Sequence, residues 1–253
     1  MDGIVFIARL GSTRLSRKHL IKASGQTFVE WMIKRFLYEF KSEIASHGVQ
    51  LFLATSDEPV NRDFEAILKS LPVKIFYGSV SNIPLRLLQC VREHNLQNII
   101  SVDGDDILCS PKAARQALQS LQKTSKHKWI KTSGLALGMN VMGFNREVLE
   151  ACADKIGTEK LETGWGRVFD SSKSIDIKLG NFSQRTDLRF TLDYQEDADF
   201  FKAVIEGYGD SILSATDTEI VNYVTENNLT RINAGVNDTY WENFNKQMKS
   251  EDK

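Results

Sequence analysis

Four runs in the N-terminal part of the chain are apolar almost end to end: GIVFIA (3–8), VQLFLAT (49–55), VKIFY (73–77) and NIISV (98–102). A strand that is apolar on both faces must be covered on both faces. Between these runs lie segments with helical spacing. From Phe28 to Phe40 the apolar residues fall at 28, 29, 32, 33, 36, 37 and 40, one stripe of an amphipathic helix. FEAILKSL (64–71) and residues 84–94 read as shorter helices, and Pro111 stands where a first helical residue tolerates proline. Strands alternating with helices predict an α/β fold, a mostly parallel sheet flanked by helices. A chain of 253 residues, 42% hydrophobic, fits a single domain over 1–253.

The rhythm breaks over 124–190. GLALGMNVMGF (134–144) reads as a glycine-punctuated strand, a helix follows near 145–154, and LETGWGRVF (161–169) is mixed. A small inserted lobe over roughly 134–190 is the expectation. RFTLD (189–193) returns to strand character, helices follow near 195–206 and 216–227, and the polar tail NKQMKSEDK is expected to fray.

Charge narrows the partners. The formal net charge is −1, from 32 basic and 33 acidic residues, so neither nucleic acid nor an anionic membrane is the expected partner. Any anion site must be local. Cys90, Cys109 and Cys152 form neither a disulfide framework nor a zinc spacing, which makes a reducing cytoplasm the default. Without a charged n-region and apolar h-region at the start, or any 18-residue apolar run, neither secretion nor membrane spanning is expected.

One local anion site stands out in FIARLGSTRLSRKHL (6–20), directly after the first strand, where open α/β sheets bind ligands. Gly11 permits close backbone approach, Ser12 and Thr13 carry hydroxyl donors, and Arg9, Arg14 and Lys18 carry charge suited to phosphate. Neither GxxxxGK[ST] nor GxGxxG occurs, which excludes a P-loop and argues against a dinucleotide site. The same residues also read as a solvated basic turn.

Two acidic stretches accompany it. SVDGDDIL (101–108) sets Asp103, Asp105 and Asp106 just past the fourth strand, with Asp103 and Asp105 on one side of an extended backbone. Hard carboxylate oxygens suit Mg²⁺ or Mn²⁺, although Asp-Gly-Asp is equally ordinary turn chemistry. RFTLDYQEDADFF (189–201) carries Asp193 at a strand end. With Glu196, Asp193 also reads as a helix N-cap and its capping-box partner, and a cap can ligate as well. A basic loop with two acidic strand ends is the equipment of phosphoryl or nucleotidyl transfer.

Taken together, these blocks resemble the cytidylyltransferases that activate acidic sugars, the acylneuraminate, 3-deoxy-manno-octulosonate and spore-coat polysaccharide enzymes. IARLGSTRLSRKHL is similar to their I-x-A-R-x-G-S-x-R-L-P-x-K-x-L, and FYGSVSNIPLRLLQC to F-x-G-S-x-x-D-V-L-x-R. VDGDD is similar to V-x-G-D-x-P, and RFTLDYQEDADFF to R-x-T-V-D-T-P-E-D-L. The resemblance implies a Rossmann-like sheet of the nucleotide-diphospho-sugar transferase kind. It also implies a reaction in which a sugar hydroxyl attacks the α-phosphate of CTP, giving a CMP-sugar for surface polysaccharide or glycan assembly and pyrophosphate. Ala8, Arg9, Gly11, Ser12, Arg14, Lys18, Gly78 and Asp103 would then bind nucleotide. Arg14, Lys18, Asp105 and Asp193 would be catalytic, with Asp105 and Asp193 as ligands of Mg²⁺ or Mn²⁺.

The acceptor pocket would lie between Gly134 and Arg185, with Asn140, Trp165 and Arg167 as candidates, in a lobe that also forms a homodimer. Departures from the pattern, Ser16-Arg17 for Pro-Gly, Asn82 for Asp and Tyr194-Gln195 for Thr-Pro, leave the identity of the sugar open. A glycosyltransferase using Asp103-Gly104-Asp105 as a DxD metal motif, and an inactive nucleotide-binding paralogue, are the alternatives.

Overall fold

The structure is a computed structural model that describes residues 1–12, 14–124, 128–157 and 160–251, so the Thr13 assignment lies outside the described residues. Strand β1 (Asp2–Ile7) leads into a hairpin of β2 (Lys22–Ala23) and β3 (Gln26–Thr27), then helices α1 (Phe28–Glu39) and α2 (Lys41–Ala45). The next elements are β4 (Val49–Ser56), α3 (Asp63–Leu68), β5 (Val73–Gly78), α4 (Ile83–Glu93), β6 (Asn98–Asp103) and α5 (Pro111–Lys123). Beyond them come β7 (Trp129–Ser133), β8 (Met142–Asn145), α6 (Arg146–Ala151), α7 (Ala153–Ile156) and β9 (Ser174–Lys178). Helices α8 (Gln195–Tyr208), α9 (Asp217–Glu226) and α10 (Asn237–Glu251) end the chain.

Seven strands form one sheet in the order β5-β4-β1-β6-β8-β7-β9. All pairs are parallel except those of β8, which runs antiparallel to both β6 and β7. The expected mostly parallel α/β sheet is therefore observed. Strand β1 is flanked by β4 and β6 and is buried along its whole length. Its side chains alternate between the two faces, Ile4 and Phe6 packing with α1, and Val5 with Leu87 and Leu88 of α4. Helix α1 starts at Thr27, whose N–H donates to Glu30 Oε2 at 2.8 Å while its hydroxyl accepts from the Glu30 N–H at 3.4 Å.

The expectations of a strand over 134–144, a strand at RFTLD and a frayed tail are corrected, and two strands are added. Within 134–144 only Met142–Asn145 is strand, because Gly134 and Gly138 turn the chain at φ +86. A Cβ at Gly138 would sit 2.1 Å from the Phe190 carbonyl, so that position admits only glycine. Strands β7 and β9 were not foreseen, and β8 and β9, both within 134–190, extend the main sheet. RFTLD is extended but forms only an isolated bridge from Arg189 to Leu137, with the Leu192 N–H donating to the Asp105 carbonyl at 2.8 Å. The tail is not frayed as far as Glu251. It is the end of α10, whose Phe244 and Glu251 face a cavity.

Candidate active site

A cavity of about 630 Å³ opens at the carboxyl ends of β1 and β6. Its floor depends on Gly104, whose N–H donates to the Ile7 carbonyl at 2.8 Å. A Cβ at Gly104 would stand 2.4 Å from that carbonyl oxygen and 2.7 Å from Ala8 Cβ, so only glycine lets the two loops lie this close. The aspartates after β6 are thereby laid against the basic loop after β1.

Lys18 joins the two walls. It follows Arg17, held at φ +53, and its side chain is almost fully buried. Its Nζ donates to the Leu192 carbonyl at 2.7 Å, pairs with Asp105 Oδ2 at 2.7 Å and lies 3.5 Å from Asp193 Oδ1. Arg14 Nη2 donates to Asp193 Oδ1 at 2.5 Å, across 179 positions of sequence. Asp193, 2% exposed, also receives Arg189 Nη2 at 3.1 Å, and Arg189 Nε binds Asp197 at 2.9 Å. Arg9 is engaged elsewhere, its guanidinium paired with Glu162 at 2.9 Å.

Asp193 is not the helix cap. The Asp197 carboxylate accepts from the N–H groups of Asp193 and Tyr194, at 2.9 and 3.1 Å, so Tyr194 is the N-cap residue and Glu196 has no part in the cap. The Asp193 side chain is left to the three cations around it.

Charge is unevenly compensated. Burial, reinforced by the Asp105 carboxylate, lifts Asp103 to about 6 although Trp165 donates to it. Burial also raises Asp105, with Lys18 pulling back, and it pushes Asp106 well up, helped by Asp103 and Asp105. Asp193 is held below the usual carboxylate value, because Lys18, Arg14 and Arg189 outweigh its burial. His19, buried beside Lys18, falls to about 3 and is neutral near pH 7. The carboxyl groups least compensated by cations are therefore Asp103, Asp105 and Asp106. Among the described residues no three His, Cys, Asp or Glu side chains are gathered as a ready metal cage. The donor chemistry, several carboxylate oxygens brought together with burial and then like charge raising those after β6, still fits a hard divalent cation.

The predicted residues divide. Ala8, Arg9, Ser12, Arg14, Lys18, Asp103, Asp105 and Asp193 all line the cavity, and so does Trp165. Trp165 is only partly available, because its Nε1 donates to Asp103 Oδ1 at 3.3 Å and its ring packs on Phe144 and Phe169. Gly11, Gly78, Asn140 and Arg167 do not line it. Gly11 is exposed with open space around it, whereas Gly78 fits between Phe76 and Gln89 at the end of β5. The Asn140 amide donates to the carbonyls of Leu135 and Ala136, and Arg167 turns to the Thr163 carbonyl and Glu251.

Sequence reading missed several wall residues. Arg86 is 1% exposed and held by the carbonyls of Ser79 and Val80 at 2.8 and 3.1 Å. Its signal was present, as the arginine closing the FYGSVSNIPLR block. Lys160, Glu162, Tyr240, Phe244, Gln247 and Glu251 also line the cavity. The spacing of Tyr240, Phe244 and Met248 in an otherwise polar tail was the available clue for α10.

A sheet carrying facing basic and acidic walls at the carboxyl ends of its central strands is the arrangement of a nucleotidyltransferase. Residues 4–204 match the cytidylyltransferase family, and the chain belongs to it. No curated protein matches the sequence. A cytidylyltransferase from Leptospira borgpetersenii serovar Hardjo-bovis has the same fold at a TM-score of 0.77 and 22% identity, covering 92% of this chain and 97% of that one. CMP:2-keto-3-deoxy-manno-octonic acid synthetase, complexed with CTP, aligns at 0.57 and 14% identity over 83% of this chain and 100% of its own. The 4-diphosphocytidyl-2C-methyl-D-erythritol synthase of Anaerococcus prevotii aligns at 0.56 and 15% identity, over 81% and 96%. Among the described residues no helix is long and apolar enough to cross a membrane.

Proposed function

We propose that the protein transfers CMP from CTP to a hydroxyl of a nonulosonic or related acidic sugar and releases pyrophosphate. The observation that carries this reading is the junction at Lys18, where a buried cation touches both acidic walls beside Arg14. The acceptor oxygen bonds to the α-phosphorus, the bond from that phosphorus to the bridging oxygen breaks with its electron pair leaving on pyrophosphate, and the hydroxyl proton passes to water. Arg14 and Lys18 hold phosphate oxygens and fix the line of attack. Drawn onto the phosphates, they would release Asp193 from two of its three partners.

Asp105 and Asp193, with Asp103 beside them, would then hold Mg²⁺ or Mn²⁺. When bound, such an ion supplies positive charge to the α-phosphate and the departing pyrophosphate. The product class suits a donor for surface polysaccharide or glycan assembly in the cytoplasm. A homodimer through 134–190 belongs to the same reading.

The test is pyrophosphate release from CTP and Mg²⁺ with N-acetylneuraminate, 3-deoxy-manno-octulosonate and neutral sugars as acceptors. Turnover confined to acidic sugars is expected. Turnover with neutral acceptors alone would remove the acidic-sugar assignment, and none with any acceptor would remove the transferase reading.

A further inference from the structure

We propose that the acceptor is held and selected by one face of α10, a helix lying wholly outside the residues 4–204 that match the family. This rests on the transferase reading above. Helix α10 has no fully buried residue, yet Tyr240, Phe244 and Glu251 are half-buried on one stripe and face the cavity, with Gln247 beside them. Two aromatic rings thus border a cavity instead of a packed core.

Of the arginines and lysines bordering the cavity, Arg9, Arg14 and Lys18 come from the loop after β1 and Arg86 from α4. The α10 wall offers no cation, only aromatic rings, the Gln247 amide, whose Oε1 accepts from the Thr163 hydroxyl at 3.3 Å, and a carboxylate that is already engaged. Aromatic walls with a few fixed polar groups are how ligand pockets orient compact molecules. Such a wall suits a ring-shaped polyol, with its C–H face on Phe244 and Tyr240 and a hydroxyl at Gln247. Lys160, exposed at the start of the loop that packs against α10, lines the same cavity and is a point charge suited to a carboxylate on that polyol.

The helix is held in register with the nucleotide wall. The Glu251 carboxylate, 2% exposed, accepts from the N–H groups of Glu162 and Thr163 at 3.1 and 3.0 Å. Glu162 in turn pairs with Arg9. At the other end, the Tyr240 ring lies 4.2 Å from the Arg189 guanidinium, which binds Asp193, and the Asn243 amide donates to the Tyr194 hydroxyl at 2.9 Å. Both walls of the cavity are thus connected through α10.

Phe244→Ala and Gln247→Ala in the full chain test this, with Phe244→Tyr as the conservative variant. Acceptor KM, the ratio of kcat/KM between two acceptors, CTP affinity by calorimetry and Tm are measured for each. The expected result is an acceptor KM raised by about tenfold or more, a changed acceptor ratio and CTP affinity within about twofold of the parent, with Phe244→Tyr near normal. Unchanged acceptor KM and ratio in an active enzyme, or CTP affinity falling in step with acceptor affinity, would overturn the assignment. Absence of turnover by the unmutated protein with every acceptor would overturn the transferase reading and this inference together.

Discussion

At the scale of single residues, Asp105 and Asp193 meet at one lysine yet sit in different surroundings. Asp193 is enclosed by Arg14, Lys18 and Arg189, and Arg189 is itself fully buried. Breaking a buried pair from one side costs roughly 3–5 kcal/mol, so Asp193→Asn is expected to lower Tm by on the order of 10 °C as well as impair activity. Asp105 is partly exposed, and Lys18 keeps the Leu192 carbonyl when Asp105 is neutralised. Asp105→Asn should cut turnover by roughly 10²–10³ with a Tm shift below about 3 °C. Kinetics at saturating CTP and Mg²⁺ beside scanning calorimetry separate the two cases. Equal losses of Tm in both variants would contradict the difference in their environments.

At the scale of elements, α10 is held by a few polar contacts at its ends and lies over the cavity. Glu251→Ala removes the acceptor for two N–H groups of the 162–163 loop. Local opening of that loop should become easier, while the sheet and its helices, which carry the hydrophobic core, keep their stability. Hydrogen exchange at the Glu162 and Thr163 amides is expected to speed up by roughly tenfold, equivalent to the ~1.4 kcal/mol of one or two lost hydrogen bonds. An unchanged exchange rate there would show that this contact does not hold the loop in solution.

At the scale of the whole molecule, two buried groups pull the pH dependence of stability in opposite directions. His19 has its pKa lowered from 6.5 to about 3, by burial and then by Lys18. Below pH 6.5 the unfolded chain therefore takes up a proton that the native protein refuses, and His19 makes stability fall with pH toward 3. Asp103, raised from 3.8 to about 6, keeps a proton that the unfolded chain gives up, so its contribution is lost as pH rises through that range. Replacing His19 by Gln isolates the first effect. Urea unfolding at pH 7 and pH 5 should show the acid-side loss smaller in His19→Gln than in the parent by about 2 kcal/mol. An identical difference in both proteins would mean that His19 is not held neutral in the fold.

The first half of the sheet was legible because its order is local. Strands β1, β4 and β6 are largely buried on both faces, β5 is an apolar edge strand that is half-exposed, and each is followed by a helix whose apolar stripe is visible in a short window. The clustering of charge around Arg14, Lys18, Asp105 and Asp193 was legible for a related reason, since loops at the ends of parallel strands share one edge of the sheet. Pairing among distant segments was not legible. The short strands β7 and β9 have meaning only beside β8, and the glycines at 134 and 138 are fixed by Gly180 and Phe190, far along the chain. The cap at α8 misled because Asp193, Glu196 and Asp197 all satisfy the local pattern, and only the position of Arg189 decides which carboxylate turns inward. Helix α10 is the clearest case. Its sequence reads as a polar tail, because a helix that borders a cavity needs only a narrow stripe of rings, and tertiary structure alone places that stripe over the site.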